Sequence, residues 1–225
     1  MALSTVEVAQ RLNISERRVR ALLKDGRIRG QQVAGRWIIE NADAASYKPG
    51  GIAGRPLSKR SAWQFIQYLP YAVRGDRPPD LSPVDWQRLR QRWQRLLESE
   101  DPAVLVRSLL AKRSDKVEMS SNPADLVELR RDNRIRLSGV SHPASGLLSN
   151  SEVEAYVSRD NFDSVVRDWL LVKAPMGSRP NVVLHVAEEL PEEVPPLLVA
   201  ADLAERPGTR EQAAARELIG SVNAH

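Results

Sequence analysis

The sequence predicts an α+β protein: two short helices and a hairpin at the amino end, a helical middle module, and a mixed α/β domain at the carboxyl end. Three observations carry that expectation. Residues 3–39 hold two apolar stripes at helical spacing, followed by two short runs suited to strands around an Ala-Gly pair. Residues 61–113 repeat apolar side chains at three and four, with Ser-Pro and Asp-Pro marking two of the starts. Residues 114–225 alternate short β-rich runs with helical segments. The expected divisions are therefore a head at 1–47, a basic Gly/Pro linker at 48–60, a helical module at 61–113 and a mixed α/β domain at 114–225.

In the head, Ser4 followed by Glu7 has the form of a capping box, and Val8 and Leu12 lie four apart on the helix it opens. Ser15 stands where its hydroxyl caps a second helix, whose Val19, Leu22 and Leu23 form a buried stripe. With that stripe turned inward, Arg17, Arg18, Arg20 and Lys24 are left outward on a helix of about ten residues, a length that suits a major groove. The stretch from Gly26 to Ile39 reads as two strands with Ala34-Gly35 at the tip, where glycine takes a positive φ at little cost. Such a hairpin after two helices is a wing. From Leu3 to about Tyr47 the pattern of small and apolar positions and the Gly35-Arg36-Trp37 hairpin resemble the excisionase and MerR-like group of winged helix-turn-helix domains. The resemblance implies that Arg17, Arg18 and Ala21 face base edges, that Arg36 meets a phosphate or the minor groove, and that Trp37 belongs to the core. Arg20, Lys24 and Arg27 complete the cationic set expected to face DNA. Asn13 stands at the interhelical turn position more often held by Gly, and Asn tolerates the left-handed geometry required there.

The glycines and prolines of residues 48–60 deny both helix and ladder. Gly54-Arg55-Pro56 is similar to the core of an AT-hook, which implies an extended arm with Arg55 in a narrow minor groove. A solvated connector explains the same residues. Beyond it, Ala62 to Leu69 reads as a helix ending at Pro70. Ser82-Pro83 then starts a longer helix that repeats Trp86, Leu89, Trp93, Leu96 and Leu97 inward, with Arg88, Arg90, Arg92 and Arg95 on its other faces. Asp101-Pro102 opens a third helix, expected to reach Arg113.

In the last half, 117–120, 134–138, 153–157 and 181–187 read as strands, and 123–131 and 161–171 as helices. The apolar run Pro196 to Leu203 precedes a final helix that starts near Pro207. Parts of this half resemble the C-terminal domain of AbiEi-type abortive-infection antitoxins and related transcriptional regulators. The matching residues are the leucine-rich run, taken as a strand, into Ala201-Asp202-Leu203, then Gly208-Thr209-Arg210 and the helix Ala213 to Leu218. The resemblance implies a DNA-binding head joined to a domain with an antitoxin role, paired with a nucleotidyltransferase toxin. The head departs from that family in being excisionase-like.

Charge points the same way. Residues 1–113 carry 21 Lys+Arg against 11 Asp+Glu, net +10, and residues 114–225 carry 12 against 18, net −6, which gives the formal +4 of the chain. Cations displace the counterions condensed on nucleic acid, so the basic half is expected to bind duplex DNA and the acidic half a protein partner or a second copy of the chain. Of the 33 basic residues 27 are Arg, a bias that GC-rich coding explains as well as phosphate recognition does.

With no cysteine there is no disulfide, thiol nucleophile or thiolate-ligated metal. No apolar run approaches a membrane span and the amino end lacks a secretory pattern, so a bacterial cytoplasm is the expected setting. His142, His185 and His225 are too scattered for a metal-ligand spacing, and no Gly-rich phosphate loop or Gly-x-Ser-x-Gly elbow occurs. Asp202 with Arg210 and Arg216, or Arg159 beside Asp160, can be drawn as a phosphate site, but a helix cap and surface ion pairs account for the same residues. The expectation is thus of no enzyme, cofactor or metal, but of a sequence-specific DNA-binding regulator that represses its own operon. The competing expectation is an antitoxin for which DNA contact is secondary.

Overall fold

The computed structural model describes residues 2–12, 14–24, 28, 30–33, 35–46, 55–147, 149–174 and 180–222. Helices and strands are mixed throughout, as an α+β chain requires, and the chain divides into two compact units, Met1–Ile52 and Ala53–His225.

In the first unit, α1 (Thr5–Leu12) begins with the expected reciprocal cap: the Ser4 amide donates to Glu7 Oε2 at 2.7 Å and the Glu7 amide to Ser4 Oγ at 3.3 Å. The Arg18 amide likewise donates to Ser15 Oγ at 3.3 Å at the head of α2 (Glu16–Lys24). The two helices are pinned by Thr5 Oγ1, which donates to Glu16 Oε1 at 2.7 Å, and by a shared core of Val8, Val19, Leu22 and Leu23. The strands β2 (Gln31–Val33) and β3 (Arg36–Glu40) pair antiparallel around Gly35, whose φ of 79° only glycine takes cheaply. A two-residue strand not expected from the sequence, β1 (Ala2–Leu3), pairs with the other side of β3, giving the order β1-β3-β2. Ile39 and Ala44 seal the core from β3 and α3 (Asn41–Ser46), and Trp37 packs half-buried against it.

The second unit opens on α4 (Lys59–Arg74), which runs through Pro70 instead of ending there. Pro70 faces solvent, so the helix loses one amide donor on its outer side while Phe65, Ile66 and Leu69 stay buried on the inner side. The stop comes at Gly75, in left-handed geometry with φ 83°. α5 (Pro83–Leu97) and α6 (Pro102–Leu109) start at their expected caps, Ser82 and Asp101. α6 ends short of Arg113 because the chain turns there to carry that side chain inward.

Five strands form the sheet: β4 (Asp115–Ser120), β5 (Ile135–Leu137), β6 (Val153–Ser158), β7 (Val172–Lys173) and β8 (Val182–Ala187), in the order β5-β6-β8-β4-β7. Only β6 and β8 pair in parallel, in a register that sets Tyr156 beside His185. Period-two alternation divides their side chains. Val153, Ala155, Val157, Val182, Leu184 and Val186 join the core under α7 (Leu126–Leu129) and α8 (Arg159–Asp168), while Tyr156 and Ala187 join a larger core on the other face.

That larger core contains α4, α5 and α6 together with α9 (Pro196–Glu205) and α10 (Thr209–Val222). The helical module expected at 61–113 and the domain expected at 114–225 are thus parts of one unit. The division of charge follows: residues 53–225 carry 24 Lys+Arg and 24 Asp+Glu, whereas residues 1–52 carry 9 and 5. The basic and acidic halves of the sequence are not physical bodies. A second correction concerns Pro196 to Leu203, a helix and not a strand. Every residue from Leu197 to Ala204 is buried, so the run has no polar face whose period could reveal it.

At the end of α8, Leu170 adopts φ 50° and is 80% exposed. The Leu171 amide donates to the Val166 carbonyl at 2.9 Å, which is the closing bond of a helix terminus that ordinarily places glycine in this position. Left-handed geometry costs an L-residue about 1–2 kcal/mol, and the extra freedom of unfolded glycine offsets part of that gain. Leu170→Gly is expected to raise stability by about 1 kcal/mol, a rise of roughly 2–4 °C in melting temperature for a unit of this size. An unchanged or lower value would mean that Leu170 makes compensating contacts.

Candidate functional site

On α2 the inward stripe of Val19, Leu22 and Leu23 fixes which side chains face out. At about 100° per residue, Arg17 and Ala21 lie opposite that stripe, with Arg18 and Arg20 on the flanks. Arg17, Arg18 and Arg20 are exposed and Ala21 is half-buried between them. Their charges are not equivalent. Arg20 Nη2 lies 2.6 Å from Glu16 Oε1, one turn earlier, so its charge is partly spent within the helix. The Thr5 hydroxyl, followed by Arg20, holds the Glu16 carboxyl below its usual range. Among the described residues Arg17 and Arg18 have no carboxylate partner. Lys24 closes α2 and Arg36 opens β3, paired with Val33. Arg27 lies outside the described residues, and Arg55 is exposed in the second unit, ahead of α4. The first unit therefore carries exposed arginines on α2 and an antiparallel β-hairpin, and Arg55 belongs to a different body.

A second constellation escaped the sequence reading. Glu154 and Tyr156 from β6, His185 from β8, Asp202 from α9 and Arg113 after α6 are all buried, each at 1% exposure or less. Asp202 Oδ1 accepts from Arg113 Nε at 3.1 Å and from the Tyr156 hydroxyl at 3.0 Å, with Arg113 Nη2 closer still, and Asp202 Oδ2 accepts from the Ser138 hydroxyl. Arg113 also donates through Nη1 to Glu205 at 2.6 Å and to the Leu110 carbonyl at 3.0 Å. His185 stacks on Tyr156 with ring centroids 4.8 Å apart; its Nε2 stands 3.1 Å from Glu154 Oε1 and 3.6 Å from Asp202 Oδ1, and its Nδ1 3.3 Å from Ser114 Oγ. Arg206 closes the far side, Nη2 at 2.8 Å from Glu154 and Nη1 at 2.8 Å from Glu152.

One ligand atom from each of Glu154, His185 and Asp202 falls within 4.8 Å of the others, a separation suited to a metal ion. Here two guanidinium groups supply the positive charge, and the carboxylate oxygens are already engaged. Burial pushes the Tyr156 phenol up, and Asp202 adds to it. Burial opposes the charge on Arg113, but Tyr156, Asp202 and Glu205 outweigh it, so the guanidinium stays ionised. The sequence signal was there in retrospect: single polar letters inside otherwise apolar runs, at Glu154, His185 and Asp202. Each is expensive to bury alone and therefore implies the others.

The alternative phosphate sets are not assembled. Asp202 is committed to Arg113, Arg216 pairs with Asp101 at 3.3 Å, and Arg159 pairs with Asp115 at 2.6 Å and Glu188 at 3.2 Å. His142 is a loop residue whose Nδ1 accepts from the Ala144 amide at 3.1 Å.

Burial alone would raise the Glu154 carboxyl, but His185, then Arg206 and the Val140 amide, hold it below the ordinary glutamate range. A depressed carboxylate stabilises the folded state above the unfolded value, near pH 4.3, and that contribution is lost as pH falls through the folded value. Urea stability is therefore expected to fall below about pH 4.3, and to fall less steeply in Glu154→Gln. Identical pH slopes in the two proteins would remove Glu154 as the responsible group.

No family model, curated protein or solved structure matches this chain. Among the described residues no helix is long and apolar enough to cross a membrane.

Proposed function

We propose that the chain is a sequence-specific DNA-binding regulator that represses its own operon by occupying the operator. The observation that carries this reading is α2, on which Arg17 and Arg18 stand exposed and, among the described residues, without carboxylate partners beside the small Ala21, above a packed core and next to a hairpin. A helix of nine residues, about 13 Å long, fits a major groove, where an arginine fork meets guanine O6 and N7. Ala21 lets the helix approach the base edges closely. Arg36, at the first position of β3, is the proposed phosphate contact. The second unit is the proposed seat of a protein partner or a second copy, and a homodimer would read two half-sites separated by whole helical turns. The antitoxin reading gains no specific support, since the run taken as its leucine-rich strand is the helix α9.

Selection of bound fragments from host genomic DNA by the purified full-length chain tests the proposal, because it reports binding, site and symmetry together. Arg17→Ala and Arg18→Ala are each expected to cost about 1–3 kcal/mol on the selected site and to relax preference at one base position. Arg36→Ala is expected to weaken all sequences alike. Failure to enrich any sequence, or a footprint unchanged by the α2 substitutions, overturns the assignment.

A further inference from the structure

The three arginines of α2 are held differently, and the difference has a structural source. Arg17 and Arg18 lack a carboxylate partner among the described residues, whereas Arg20 Nη2 lies 2.6 Å from Glu16 Oε1, the two side chains being 58% and 37% exposed. Glutamate one turn before arginine is the favourable order for a pair within a helix, and helix stability alone would explain that contact. The same Oε1 also accepts from the Thr5 hydroxyl at 2.7 Å, and Thr5 is the first residue of α1. One oxygen is thus fixed from two helices. Glu16 lies between the buried stripe and Arg20, on the flank of α2 turned to the start of α1, so Arg20 is tethered through it to the packed pair of helices and not to its own helix alone. An untethered arginine is a mobile cation that meets whichever phosphate is near. A tethered one has given up part of that freedom before DNA arrives, and part of its charge is cancelled. A carboxylate on a DNA-facing helix also repels the phosphates of every sequence, which is the repulsive element that discrimination between partners requires.

We propose that Glu16, steadied by Thr5, is a specificity-determining residue of the α2 face: it positions Arg20 for the selected DNA site and withholds it from the phosphates of other sequences. This rests on the DNA-binding reading of α2 and deepens it. Glu16 is a positioning residue, because its effect passes through the Arg20 guanidinium. With Nη2 engaged by Glu16, Arg20 keeps Nε and Nη1 as donors for DNA. A duplex whose acceptors meet that held group gains a contact at little ordering cost, and a duplex whose acceptors do not meet it must first break the tether.

The test titrates the full-length protein against two duplexes of equal length, the selected site and a scrambled version, over a series of KCl concentrations. Glu16→Ala frees Arg20 while α2 keeps its Ser15 cap and gains the best helix former. It is expected to bind the scrambled duplex about fivefold or more tighter at about 0.1 M KCl, with a salt slope steeper by about one unit as Arg20 gains a phosphate, and to lower the ratio of the two affinities accordingly. Thr5→Val keeps both charges and is expected to lower the ratio by a smaller factor; an unchanged ratio removes Thr5 from the relay. In an Arg20→Gln background, Glu16→Ala is expected to lose most of its effect. An undiminished effect there means that Glu16 acts by its own charge and overturns the proposal. If Glu16→Ala weakens both duplexes alike, or leaves the ratio at its wild-type value while Arg17→Ala lowers it, Glu16 only supports the helix and the reading of α2 stands without it. If the wild-type chain binds neither duplex, the DNA-binding reading fails and takes the role of Glu16 with it.

Discussion

Asp202→Ala is expected to lower the stability of residues 53–225 by about 3–5 kcal/mol, the cost of stranding a buried charge whose partner has been removed. The carboxylate answers the Arg113 guanidinium, the Tyr156 hydroxyl and the Ser138 hydroxyl at once. Without it, Arg113 keeps Glu205 and the Leu110 carbonyl on Nη1 and the Tyr156 hydroxyl oxygen 2.8 Å from Nε, while Nη2 loses its carboxylate acceptor in a buried interior. Domains of this kind have total stabilities of about 5–15 kcal/mol, so a loss of this size approaches the threshold for unfolding. Removing both charges tests whether the loss comes from the stranded ion or from the packing. Arg113→Met/Asp202→Leu is expected to recover most of the stability, since buried pairs replaced by apolar residues of similar volume are often no less stable. Urea titration decides: a loss below about 1 kcal/mol in Asp202→Ala would mean that solvent enters and screens the site.

Phe65→Ala is expected to cost a further 3–5 kcal/mol, in the range of large-to-small changes at fully buried aromatic positions, and its effect is expected to reach the sheet. Phe65 is 1% exposed, in one cluster with Tyr156 and Ala187 from the strands and Leu197, Leu203 and Leu218 from the last two helices. Trp63 on the same helix adds a polar tie, its Nε1 donating to the Arg113 carbonyl at 2.9 Å, and its ring meets Tyr156 edge-on. Amide hydrogen exchange reads the outcome residue by residue. Protection in α4 and in β8 should fall together in the variant; loss confined to α4, α5 and α6 would make the helices a separate cooperative body.

Local features were legible in the sequence where local chemistry decides them. The Ser4/Glu7 and Ser15 caps, the Ser82-Pro83 and Asp101-Pro102 helix starts, and the glycine at the hairpin tip each settle their own few residues, and the structure keeps them. Strands β4, β5, β6 and β8 fall where β-branched runs place them. Errors arose where tertiary burial overrides local preference. Pro70 is tolerated because its missing donor faces water, and α9 has no polar side to show its period. β1 and β7 are two residues each and exist only through their pairing partners. The cationic face of α2 could be read from one apolar stripe. For the Arg113, Glu154, His185 and Asp202 network, lone polar letters in apolar runs mark three members as buried polar groups, but not which groups they meet, since the partners are far apart in the chain and only the fold brings them together.

The larger core joins α4 to α10, the first and the last helices of its unit. During synthesis, residues 1–52 have every partner they need soon after they emerge, whereas residues 53–225 must wait for the last helix to be translated before their interior closes. A ribosome that stalls anywhere between leaves a compact amino-terminal body followed by a segment whose apolar faces are still uncovered.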